Sequence, residues 1–121
     1  MMPISPLRQS FRRARASGNI DEVMPFFIAA KFFVAGKKIP TAAAPVFFIQ
    51  RSPNPERWCV TASESSEVLA KHDVDLIEHT GKSLLAAIEP TQEIVIAYAD
   101  GGDYLTLEQL DYFRGLQTSK P

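Results

Sequence analysis

Residues 93–99 (EIVIAYA) form an almost wholly apolar run, closed by the turn chemistry of Asp100-Gly101-Gly102-Asp103. Successive side chains of a strand point to opposite faces of a sheet, so such a run needs cover on both sides. The chain is therefore expected to layer helices, or a second subunit, over a sheet with this strand inside it. The doublets Phe32-Phe33 and Phe47-Phe48 make the same demand, each placing one ring on either face. Helices suffice as cover if they are numerous enough; a homodimer is the other way to satisfy the second face.

Helix signals surround this core. Ser5-Pro6 supplies a capping hydroxyl followed by proline at the first helical position. Leu7, Phe11 and Ala14 then share one face, Arg8, Arg12 and Arg15 another, and Gly18-Asn19 closes the helix. A second helix is expected over 21–30, with Asp21 and Glu22 near its positive end, Pro25 in its first turn and Met24, Phe27 and Ile28 inward. Residues 32–34 read as a strand ended by Gly36, and 37–45 as a loop bracketed by prolines. Residues 46–49 and 57–61 read as a hairpin across the Ser52-Pro53-Asn54-Pro55 turn. Thr61 with Glu64 fits a capping box opening a helix over 63–71. A short strand at 74–77, a helix over 82–88 and the apolar strand 93–99 follow. Thr106 with Gln109 is a second capping box, for a last helix ending at Gly115.

The order is α-α-β-β-β-α-β-α-β-(β)-α. Hairpins mixed with helical crossovers predict an α+β domain with a mixed, largely antiparallel sheet of about five strands and helices packed on it. Its length, 121 residues, suits one domain. The expected organisation is a basic N-terminal helix over 1–18 and a single α+β domain over 19–118. No stretch approaches the roughly 20 apolar residues of a membrane span, and no apolar segment follows the early arginines as a secretory signal requires. One cysteine excludes an internal disulfide framework and fits a reducing, cytoplasmic setting.

Charge is unevenly distributed along the chain. Residues 1–58 carry nine basic and three acidic side chains, a net of +6; residues 59–121 carry four and eleven, a net of −7. The halves either interleave in the fold or present a charged partner surface. The arginine face of the first helix (Arg8, Arg12, Arg15) is the expected partner-binding surface. An overall net charge of −1 and the absence of aromatics among those arginines argue against nucleic acid.

Chemistry is thinly represented. Cys59, His72 and His79 are the one nucleophile-and-base set, but Cys59 falls inside an apolar strand, where inert thiols reside. His72, Asp73, Asp75, Glu78 and His79 make a ligand-rich run, which an amphipathic strand explains equally well. The expectation is no catalytic residue, no metal and no cofactor. The alternative is a small enzyme or ligand- or metal-binding domain using Cys59 or the His72–His79 segment.

The sequence of elements resembles the N-terminal domain of the SseB family, a bacterial module of poorly defined function. Met24-Pro25-Phe26-Phe27 through Phe33-Val34 resembles its helix-then-strand opening. Cys59-Val60-Thr61-Ala62-Ser63-Glu64 is similar to its strand running into a Phe-Thr-Ser turn and a helix. Gly81-Lys82-Ser83-Leu84-Leu85 is similar to its glycine and Leu-Leu helix, and the segment from Ile94 to Leu110 to its apolar strand, glycine turn and acidic last helix. Val60 and Ala62 depart from its phenylalanine and serine, and Ile96-Ala97-Tyr98 from its asparagine-proline step. The resemblance spans residues 20–116 and implies the N-terminal module alone. It implies an accessory role; the reading as a whole expects a protein partner or self-association without chemistry, and a further reading is an immunity or chaperone-like subunit for a secreted partner. No catalytic residue comes with the resemblance.

Overall fold

The computed structural model describes residues 4–37, 41, 46–70 and 74–118. Helix α1 (Pro6–Ser17) leads into a 3₁₀ turn (Ile20–Glu22) and helix α2 (Met24–Ala29). Strands β1 (Lys31–Lys37), β2 (Val46–Phe47), β3 (Ile49–Arg51) and β4 (Trp58–Ser63) follow, then helix α3 (Ser66–Leu69), strand β5 (Asp75–Thr80) and helix α4 (Gly81–Ala87). Strands β6 (Gln92–Tyr98) and β7 (Gly101–Leu105) and helix α5 (Leu107–Thr118) complete the fold. The fold is α+β, with five helices and seven strands among the described residues.

The sheet runs β5-β1-β4-β6-β7, and only the β4–β6 pair is parallel. Beyond Val34 and Ala62 the strands β1 and β4 part. Strand β2 then pairs with the end of β1, and β3 with the start of β4. The expected strand 46–49 is thus two short pieces broken at Phe48, and with β7 after the glycine turn this makes seven strands where about five were expected. Gly36 does not end β1. A β-carbon on it would lie 2.5 Å from the Val46 carbonyl oxygen and 2.6 Å from Ile77 Cδ1, so glycine there lets β2 cross close by.

One face of the sheet carries the core. Phe32, Val34, Val60, Ala62, Ile94, Ile96 and Leu105 meet Leu7, Phe11 and Ala14 of α1, Phe27 of α2, Leu84 and Leu85 of α4, and Leu110 and Phe113 of α5. The Phe27 ring contacts those of Phe32 and Phe113 at 5.6 and 6.0 Å, tilted geometries that add about 0.5–1.5 kcal/mol each beyond area burial. The opposite face is covered in part by α3, whose Leu69 is buried; Phe33, Ala35, Leu76 and Val95 there are half-buried.

Several local signals read as expected. The Ser5 hydroxyl accepts the Arg8 N–H, and Gly18 closes α1 in the left-handed region at φ 73°. Thr106 and Gln109 cap α5 reciprocally, at 2.9 and 3.1 Å. Others differ. Thr61 caps nothing: β4 continues to Ser63, α3 is a single turn, and Glu64 instead accepts from Ser5 Oγ at 2.6 Å. The helix expected over 21–30 is split by Val23, which is fully buried between the 3₁₀ turn and α2. Helix α5 runs through Gly115, since nothing nearby demands a left-handed residue there. Lys71, His72 and Asp73, and residues 38–40 and 42–45 of the expected loop, lie outside the described residues.

Candidate functional site

Two arginines of the α1 face, Arg8 and Arg15, reach acids at the β6–β7 turn and on β7. Arg8 Nη1 lies 2.7 Å from Asp100 Oδ1, and its guanidinium stacks 4.3 Å from the Tyr98 ring centroid. Arg15 Nη1 lies 2.7 Å from Asp103 Oδ1, and the Tyr98 hydroxyl donates to the other Asp103 oxygen at 2.7 Å. Arg13 reaches Glu22 at 3.3 Å and lies over Phe26. Arg12 is exposed and makes no ion pair among the described residues. Burial, with its bond to Asp103, raises the Tyr98 phenol well above its ordinary range, and Arg8 lowers the Asp100 carboxyl. A groove of about 450 Å³ runs beside the Arg15–Asp103 bridge, lined by Phe11, Ala14, Ile20, Tyr104 and Gln109.

A second polar cluster joins the β3–β4 turn to the start of α5. Glu93, the first acid of the apolar run, is fully buried. It accepts from the Tyr104 hydroxyl, from Arg57 Nη1 at 2.9 Å and from the Leu107 N–H at 2.7 Å; Arg57 also reaches Glu108 at 2.7 Å. Burial alone would raise the Glu93 carboxyl, but the Tyr104, Arg57 and Leu107 donors outweigh it and hold the group ionised below its ordinary range. Burial and the same bond push the Tyr104 phenol up to about 12. The cluster therefore pins a helix N-terminus to the sheet, with a carboxylate where backbone N–H groups need an acceptor.

The cysteine and histidine of the suspected dyad are on different faces. His79 pairs with Phe32 on the core face of the sheet, while Cys59 is one residue out of phase with Val60 and so faces the other way. Burial raises the Cys59 thiol, the direction opposite to nucleophile activation. Its Sγ lies 4.0 Å from the Arg51 carbonyl oxygen, and the neighbouring Ser52 hydroxyl is buried without a hydrogen-bond partner among the described residues. His79 contacts Ser83 at 2.9 Å through Nδ1 and the Phe47 ring edge-on, and burial lowers its pKa. Within the ligand-rich run, Asp75 and His79 fall on one side of β5 and Glu78 on the other. No group of three metal-ligating side chains converges among the described residues.

The exposed part of the molecule that stands out is apolar. Val46, Phe48, Ile49 and Trp58 are 49, 42, 46 and 42% exposed; Val46 lies on β2 beside β1, whereas Ile49 and Trp58 lie on the paired strands β3 and β4. Ile49 pairs with Val60 and Arg51 with Trp58, which makes Ile49 and Trp58 diagonal neighbours on one face. The Arg51 guanidinium lies 4.2 Å from the Trp58 ring centroid. The sequence predicts 46–49 and 57–61 as a hairpin whose candidate residue is Cys59, and nothing in it marks Ile49, Arg51 or Trp58 as a surface. That surface emerges only once the register is drawn, because the turn Ser52–Arg57 places Arg51 opposite Trp58. Compared with protein families, curated proteins and solved structures, the chain finds no match.

Proposed function

We propose that this chain is a non-catalytic protein-binding module that engages its partner through the apolar corner of Val46, Phe48, Ile49 and Trp58. The observation that carries the reading is the gathering of these exposed side chains at one end of the sheet. Polar groups with chemical potential elsewhere are engaged in structural roles: Glu93 caps a helix, Asp103 holds Arg15, and the Cys59 thiol is buried. The α1 arginines enter the reading through Arg12, since Arg8 and Arg15 already have carboxylate partners. The resemblance to the SseB N-terminal domain belongs to this proposal and rests on its short motifs. The segments that carry them form α2–β1, β4–α3, α4 and β6–β7–α5. A single cysteine is in keeping with the cytoplasm. No helix among the described residues is long and apolar enough to cross a membrane.

Affinity capture from the native lysate tests the reading, with the wild type beside Ile49→Asp, a surface change expected to leave the fold intact. Stoichiometric retention of a protein by the wild type and its loss from the variant is the expected result. Capture of nothing, or equal capture by both, overturns it.

A further inference from the structure

Arg51 differs from most arginines of this chain. Arg8, Arg13, Arg15, Arg57 and Arg114 each meet a carboxylate, whereas Arg51 has none at ion-pair distance among the described residues. It stacks on Trp58 and donates one described hydrogen bond, to the Pro55 carbonyl at 3.0 Å. A guanidinium carries five N–H donors in a planar fork suited to a carboxylate, so most of that fork is unengaged. On the other side of the apolar corner, Lys37 is exposed beside Val46 and also makes no described ion pair. The turn's own acid, Glu56, is exposed and does not reach Arg51.

The spacing completes the match. Ile49 and Arg51 lie two residues apart on one face of β3, about 6.6–6.8 Å along the strand. Resting on the proposal that this corner binds a protein, we infer that it docks an extended segment of that partner with an apolar side chain and, two residues on, a carboxylate. The apolar side chain packs on Ile49 and Trp58, and the carboxylate pairs with Arg51, held flat against the indole. Charge complementarity selects an acidic segment, and the aliphatic Ile49 favours a peptide over stacked bases. Trp58 is the chain's one tryptophan, and nucleic-acid grooves use several aromatic platforms.

That tryptophan is also the probe. Its emission is followed while the full chain is titrated with a synthetic peptide alternating leucine and glutamate every second residue, threonine between. A peptide with lysine for glutamate and an oligothymidylate serve as the other arms. The expected result is saturation with the glutamate peptide, weakened about tenfold in Arg51→Gln and less so in Arg51→Lys, with no saturation by the lysine peptide. Equal response to both peptides, an unchanged Arg51→Gln, no response at all, or tighter binding of the oligonucleotide overturns the inference. If lysate capture is still lost in Ile49→Asp while the peptides discriminate nothing, the binding module stands and the acidic chemistry falls.

Discussion

Arg15 and Asp103 stand 88 positions apart in sequence and 2.7 Å apart in space. The arginine is 62% exposed and the carboxylate 2%, so one end of the bridge is wet and the other is enclosed beneath α1. Arg8–Asp100 and Arg57 with Glu93 and Glu108 repeat the pattern, each tying the basic first half to the acidic second. Three of the first half's nine basic side chains thus pair with four of the second half's eleven acids, so part of the charge split is complementarity within the fold.

Enclosure on one side makes the two ends of the Arg15–Asp103 bridge unequal. Arg15→Ala removes an exposed cation and lets water reach the carboxylate, at a cost of about 1 kcal/mol. Asp103→Ala leaves the half-buried Tyr98 hydroxyl without its acceptor and releases Arg15 as well, at about 2 kcal/mol. Urea unfolding of both variants and the double variant checks this ordering. Equal costs for the two single changes would refute it.

Glu93 governs the acid limb of stability. Its folded pKa lies below the ordinary glutamate value of about 4.3, so its contribution is complete above that pH and is lost as pH falls through the folded value. Glu93→Gln is expected to cost about 2–3 kcal/mol at pH 7 and progressively less towards pH 3. Asp100, lowered by Arg8, leaves a residual acid slope in the variant. Unfolding midpoints between pH 3 and 7 give the comparison; a pH-independent difference between variant and wild type contradicts it.

Cys59 is fully buried and its thiol is raised by desolvation. Reaction with iodoacetamide at pH 7.5, a condition set by the experimenter at about one unit below an ordinary thiol, is expected only through opening of the sheet. Labelling should therefore be slower than in urea-unfolded protein by a factor of about 100 or more. Rates within a few-fold of each other would mean that the thiol is accessible and would reopen its chemistry.

Local signals were the legible part of the fold. Ser5-Pro6, Thr106 with Gln109, and the apolar period of 93–99 depend on nearby residues, and each gives the element it specifies. What the sequence could not display was long-range. Thr61 and Glu64 have capping-box spacing, yet pairing of Thr61 with Val95 of β6 holds the segment extended to Ser63. Gly36 has the composition of a stop, and only the crossing of Val46 over it shows why the strand continues. Of the candidate residues, Arg8 and Arg15 were visible as a stripe, but their partners lie about ninety positions away. Ile49, Arg51 and Trp58 become a surface only once the β3–β4 register is known.

Two glycines should respond oppositely to alanine. Gly81 opens α4 directly under α2, and a β-carbon there would fall 1.7 Å from the Phe27 carbonyl oxygen, which is backbone and cannot swing aside. The Gly81 N–H also bonds the Ala30 carbonyl at 2.9 Å, fixing the approach of the two helices. Gly81→Ala must push α2 and α4 apart and is expected to cost about 3 kcal/mol or more. Gly115 lies within α5 with nothing within 4 Å of its would-be β-carbon. There alanine only restricts the unfolded chain and improves helix propensity, for a gain of about 0.5–1 kcal/mol. Urea titrations followed by circular dichroism measure both, leaving the Trp58 corner untouched. A neutral Gly81→Ala would mean that α2 and α4 are not packed this closely, and a destabilising Gly115→Ala would mean that α5 does not continue as a regular helix through that position.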